Sequence, residues 1–249
     1  MKNKIRAIAP VIIALILIVV IIVAGVIVYF VAFATKPSPG PGPGPGQGFQ
    51  ISKIENYGDL VDYVTHIKYR WTLYEGGETS IGVITFDDLG DETVNGYLCR
   101  KFNLLIESNG DINEISGWVL KSDWTTLKKL IYDGTPVPEE YLSMYAGLIE
   151  SVVFLPYVTF FGWNIDWTQV TSEIGTLTSI GSESRIYGET TLTVYKWRFT
   201  PNPIYEPLKD VSSIEVWQGQ IGSYYLLTYF DETKKDGDYT RFELLEFTP

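Results

Sequence analysis

The sequence predicts an α+β domain, an antiparallel sheet with a few inserted helices, behind one N-terminal transmembrane helix. Three observations predict it. Residues Ile8 to Ala34 carry no charged side chain. Lys36 to Gly48 read KPSPGPGPGPGQG, a run that regular structure does not tolerate. From Phe49 onward Tyr, Trp, Thr, Ile and Val dominate, types that suit a pleated, half-buried surface. Helical spacing interrupts their alternation chiefly in the middle of the chain.

The N-terminal run is long enough to span a membrane, since a bilayer core about 30 Å thick takes roughly 20 apolar helical residues. Lys2, Lys4 and Arg6 precede it with no acid among them. By the positive-inside rule that end stays cytoplasmic and the rest is exported. Ala32-Phe33-Ala34 has the small-x-small form of a signal-peptidase site, but the apolar run is far longer than the roughly 7–15 residues of a cleaved signal. In the stalk, proline lacks an amide donor and glycine loses too much entropy on ordering. Fully extended at about 3.1 Å per residue, the stalk reaches roughly 40 Å. The expected organisation is a basic cytoplasmic end (1–7), a transmembrane helix (8–34), a Pro/Gly-rich linker (35–48) and an extracytoplasmic β-rich domain (49–249).

Within that domain a short amphipathic helix is expected at about 54–63. His66 to Tyr74 then alternates, with Ile67, Tyr69, Trp71 and Leu73 on one side and His66, Lys68, Arg70 and Thr72 on the other. Glu75-Gly76-Gly77-Glu78 turns the chain into 80–86. Asp87-Asp88-Leu89-Gly90 is expected to turn it again into a strand near 93–107. Asn109-Gly110 is a strong hairpin signal leading to 112–121.

Helical patterns follow. Ser122 or Asp123 can cap a helix to about Tyr132, with Trp124, Leu127, Leu130 and Ile131 on one face. Pro138 suits the first turn of a second helix to about Val153. Strands resume at 184–199, 213–218, 224–231 and 239–247, with Lys234-Lys235-Asp236-Gly237 as the last hairpin loop. Short turns make the sheet antiparallel, and the central helices make the class α+β.

Two resemblances rest on particular stretches. The runs Tyr97–Glu107, Asn109-Gly110 and Trp118, with Ile214–Trp217, Tyr224–Phe230 and Arg241–Phe247, resemble the layout of the LolA/LolB-like exported proteins. That resemblance implies a curved sheet covered by inserted helices, an apolar cavity, and lipid-like ligands. No lipid-attachment cysteine lies near the start of this chain. Separately, Arg6-Ala7-Ile8-Ala9-Pro10-Val11-Ile12 resembles the start of archaeal type IV pilin precursors, with Ala9 where that family often has Ser. It implies an archaeal membrane protein and a processing site at Ala7.

Composition removes several chemistries. Without the three leading cations the chain has 16 basic and 30 acidic residues, a net of −14. Such a field repels nucleic acid, so no nucleic-acid partner is expected. The single Cys99 forbids an intrachain disulfide, and a buried inert thiol is its expected state. His66, the one histidine, is expected to face solvent on its strand. One His and one Cys leave little for a triad or a zinc site, and there is no P-loop. Asp87-Asp88 and Asp91-Glu92 are the densest acidic clusters, read as an exposed loop rather than a calcium or glycosidase site. No enzyme activity, cofactor or metal is expected.

The most unusual stretch is Leu148 to Trp167. It holds Phe154, Tyr157, Phe160, Phe161, Trp163 and Trp167, with Glu150 and Asp166 its only charges. Such a run is core beneath the helices, the wall of an apolar ligand cavity, or a docking patch. The expected function is a single-pass, membrane-anchored, non-enzymatic binding module for an apolar or lipid-like ligand or a cell-surface protein, with those six aromatics as candidate ligand contacts. The alternative is a pilin-like or surface-layer-associated structural subunit.

Overall fold

Turn residues in the left-handed region set the architecture. The computed structural model describes residues 58, 61–153, 173–222 and 224–249. It places Asn95-Gly96, Asn109-Gly110 and Asp133-Gly134 all at positive φ. Two such residues in a row make the hairpin turn whose twist matches its flanking strands. Each pair therefore reverses the chain and joins consecutive strands.

The strands are β1 (His66–Glu75), β2 (Glu78–Val94), β3 (Tyr97–Ser108), β4 (Asp111–Leu120), β5 (Asp123–Tyr132) and β6 (Thr135–Pro136). The second group is β7 (Gly175–Tyr187), β8 (Thr190–Pro201), β9 (Val211–Ile221), β10 (Tyr224–Lys234) and β11 (Tyr239–Thr248). All form one sheet, in the order β6-β5-β4-β3-β2-β1-β11-β10-β9-β8-β7. Every pairing is antiparallel. The sheet is thus two meanders joined at one long-range seam, β1 against β11, which runs from His66↔Thr248 to Tyr74↔Tyr239. Thr65 closes the seam, its hydroxyl donating to Pro249 O at 2.9 Å.

The expected helix-covered α+β class is overturned. Among the described residues one α-helix is complete, α1 (Leu142–Val153), with single 3-10 turns at Glu139–Tyr141 and Glu206–Leu208. The helix after Pro138 is borne out, with Leu142 and Ile149 among its buried side chains. Helical geometry at Gly58 and Val61, with Asp62 N–H donating to Gly58 O at 3.2 Å, agrees with the expected opening helix.

The expected helix at 123–132 is strand β5. Two local features imitate a helix there. Asp123 accepts from the Thr125 amide and from the hydroxyls of Thr125 and Thr126, as a cap residue does. Register irregularities also leave extra residues on β5: Trp118 pairs with Lys129 and Val119 with Leu127, so Lys128 is skipped. Leu127 and Leu130, three apart, therefore both fall in the core. Two further turns were not expected. Asn95-Gly96 separates β2 from β3, and Gly188 (φ 62) separates β7 from β8, where the sequence suggested unbroken strands. Asp87–Gly90 is a bulge inside β2 rather than a turn.

No helix among the described residues is long and apolar enough to cross a membrane. The expected span at 8–34, the processing site at Ala7 and the linker at 35–48 lie outside those residues.

Two apolar clusters share one face of β1 and β11, and the first also takes in Leu192, Val194 and Leu226, which the register places on the other face of β8–β10. Ile67 and Tyr69 of β1, Ile84 and Phe86 of β2, Leu104 and Ile106 of β3, and Leu127 and Leu130 of β5 form one cluster. Phe199, Ile214, Val216, Phe230 and Phe242 form the second, and Trp71 packs against both. Register makes them continuous, because Trp71 faces Phe242, Phe242 faces Phe230 and Phe230 faces Val216.

The sheet is also bent back on itself. Tyr69 Oη donates to Leu227 O at 2.6 Å, across the intervening β11. On the other side of β11, a Cβ added at Gly188 in the β7–β8 turn would lie 3.7 Å from Glu246 Cβ, beside Lys68. Bulges supply bends: Leu245 is skipped on β11 and Thr228 on β10. Glycine supplies room where the curl crowds the face. A Cβ at Gly82 would sit 2.2 Å from Trp71 Nε1, and one at Gly117 would sit 2.2 Å from Phe102 Cζ. In each case the aromatic is the direct cross-strand partner of the glycine.

Candidate functional site

The candidate site is this apolar lining, whose side chains are buried within the chain. Its polar groups are few, and those with partners hold them closely. Tyr132 Oη donates to Asn113 Oδ1 at 2.5 Å, and burial pushes its phenol up to about 12. Glu232 of β10 stands opposite Ile214 and Thr240, in the row of the second cluster. Desolvation raises its carboxyl above the ordinary value of 4.5, with Lys234 opposing.

The sign of the resulting pH dependence is fixed. The unfolded chain ionises Glu232 first, so stability falls as pH rises from the ordinary glutamate range to the folded value. Glu232→Gln removes that loss. The variant is expected to melt higher than the parent at pH 7 and equally at pH 3, as read by circular dichroism.

The opposite face of β1 and β11 carries charge, much of it paired. His66 Nδ1 lies 2.6 Å from Asp87 Oδ1, and His66 Nε2 lies 3.6 Å from Glu246. Lys68 Nζ holds Glu246 at 3.1 Å, and Arg70 holds Glu243 at 2.8 Å. Lys196, Trp217, Tyr229, Glu243 and Arg70 make one continuous cross-strand row. In it Trp217 stacks on Tyr229 with ring centroids 4.4 Å apart. Arg185 and Lys196 lie 4.0 and 4.4 Å from the Trp217 ring, within cation–π range. Buried Asp231 accepts from Arg241 Nε at 2.7 Å and from Tyr229 Oη at 2.9 Å. This row was not foreseen from sequence. Its members lie on five strands, and only the register aligns them.

The residues singled out by sequence fare differently. Phe154, Tyr157, Phe160, Phe161, Trp163 and Trp167 lie outside the described residues, as does Ala7. Cys99 is free and fully buried, and burial pushes its thiol up, as expected of an inert core thiol. His66 is half-buried and held by Asp87 rather than turned to solvent. The acidic run in β2 is neutralised from neighbouring strands. Arg100 bridges Asp88 and Asp91, Lys121 holds Asp91 at 2.6 Å, and Lys101 approaches Glu92 at 3.6 Å. Its carboxylates are therefore committed to ion pairs, and no group of three or more His, Cys, Asp or Glu is placed to hold a metal among the described residues.

No family model matches the chain, and no curated protein matches it. Similar solved structures include a DUF1329 family protein from Desulfovibrio piger, at 12% identity over 75% of this chain and 86% of that one, with a TM-score of 0.29. A second is the MucA/MucB complex of Pseudomonas aeruginosa, at 8% identity over 74% of this chain and 51% of that one, with a TM-score of 0.30. A third is a lipoprotein-like protein from Parabacteroides distasonis, at 12% identity over 74% of this chain and 95% of that one, with a TM-score of 0.26. Scores of this size carry neither ligand nor partner over to this chain.

Proposed function

We propose that the chain is a membrane-anchored, non-enzymatic module that binds an apolar or lipid-like molecule outside the membrane on the apolar lining of its sheet. The observation that carries this reading is the buried apolar lining that runs from β5 through β1 and β11 to β8, on a sheet bent so that Tyr69 reaches Leu227. An apolar lining suits an apolar guest admitted to it, because burial of the guest's surface drives binding without directional partners. The anchor, linker and orientation come from the sequence: the Ile8–Ala34 run behind Lys2, Lys4 and Arg6, and the Pro/Gly stretch after it. The non-enzymatic part rests on His66 being held by Asp87 and on the ion-paired acidic run in β2.

Full-length protein purified from its own membranes is the test material. Solvent extraction and mass spectrometry should find one lipid-like class at about one molecule per chain, enriched over the membrane's own composition. An extract that mirrors the bulk membrane would refute the ligand. The mass of the mature N-terminus separates the anchored module from the filament subunit. A chain that retains Lys2 to Ala7 is an anchor, and a chain that begins at Ile8 favours the pilin-like alternative.

A further inference from the structure

The two edges of the sheet are built differently. β6 has only two residues, ends in Pro136, and leads directly into the 3-10 turn before α1. A short proline-ended edge cannot template another strand, which is how proteins blunt an edge. β7, at the other edge, has thirteen residues and among the described residues is hydrogen-bonded only to β8. Thr178 through Ile186 are all exposed. The strand contains neither lysine nor proline. Beyond its one bulge the stretch 181–187 is regular, and among the described residues no strand pairs with its outer side.

We infer that this edge pairs antiparallel with the same edge of a second copy of the chain, about a two-fold axis at Ser184. Three features select that register. Gly181 (φ 121) sits at a bulge, and the β7–β8 turn begins at Gly188, so the regular stretch is 181–187. Its midpoint is Ser184. Glu183 and Arg185, the only charges on β7, flank that midpoint. Antiparallel pairing about Ser184 sets Glu183 opposite Arg185 of the partner subunit, and the reverse, on one face. Moving the axis one residue either way sets Glu183 against Glu183, or Arg185 against Arg185. Like charges directly opposite are unfavourable and opposite charges favourable, so the charge pattern admits one of these registers. Within one copy Glu183 already holds Arg185 Nε at 2.5 Å and Lys196 Nζ at 2.6 Å, which keeps its carboxylate extended on that face.

The test uses the full chain in its membrane. In Ser184→Cys, a short thiol cross-linker should give covalent dimers, while Thr178→Cys, beyond the bulge, should give far fewer. Buried Cys99 adds no background. In detergent, Glu183→Arg alone and Arg185→Glu alone should each weaken self-association about tenfold, since two facing pairs change sign. Mixing the two variants should restore it as a heterodimer, which loss of the contacts within one copy cannot explain. A chain that stays monomeric, equal cross-linking at both positions, or a dimer indifferent to both charge reversals would overturn the pairing.

Discussion

Replacing Arg100 by methionine is expected to cost the domain about 3–5 kcal/mol, the loss that follows when one partner of a buried ion pair is removed. The Asp88 side chain is only 3% exposed. Arg100 Nε donates to Asp88 Oδ1 at 2.7 Å, a second guanidinium nitrogen donates to Oδ2, and Nη1 donates to Asp91 Oδ1 at 2.9 Å. The Asp88 contact is the chief reason the guanidinium is held above its ordinary range. Arg100→Met leaves the Asp88 carboxylate with neither water nor a cation. Adding Asp88→Asn should recover part of the loss, because a neutral amide is far less costly to bury. Urea unfolding followed by tryptophan fluorescence reads both variants. A loss below about 1 kcal/mol for Arg100→Met would mark the pair as an ordinary surface bridge.

Phe102→Ala is expected to be as severe, at about 3–5 kcal/mol, against a typical total of about 5–15 kcal/mol for a domain. The ring is 2% exposed and stacks on Phe86 at 5.8 Å between centroids. It also covers the space where a Cβ at Gly117 would fall. That geometry predicts a reversal of sign. Gly117→Ala alone should cost about 1–3 kcal/mol by overpacking. In the Phe102→Ala background the added methyl has room, and the same change should be neutral or stabilising. A double-mutant cycle in urea measures this coupling, and additive losses would show that Phe102 does not shape the site around Gly117.

Some of this architecture was legible because it is local. Gly76-Gly77, Asn109-Gly110 and the loop ending at Gly237 need backbone geometry that few residues accept, and each turn is where its residues imply. The alternation of Ile67, Tyr69 and Trp71 against His66, Lys68 and Arg70 also reports the two faces of β1. The misread element was β5. Its Asp123 cap-like bonds and its Leu127/Leu130 spacing suit a helix equally well, and the deciding fact, its pairing with β4, is absent from the local pattern. The six aromatics from Phe154 to Trp167 fall outside the described residues, so the candidate site rests on the sheet face instead.

By itself the sequence determined the apolar N-terminal run, the proline-glycine stalk, the acidic balance and the positions of several hairpin turns. These depend on composition, or on the dihedral freedom of one or two residues. Tertiary structure alone decided the β1–β11 seam, the curl and the ionic row. Thr248 closes on His66, and Lys196 reaches Arg70 through Trp217, Tyr229 and Glu243, only because register is set between strands far apart in sequence. A bulge of one residue re-aims every side chain beyond it. Skipped Leu245 places Leu244 and Phe247 in one apolar cluster and leaves Glu246 to Lys68, a choice made by the partner strand.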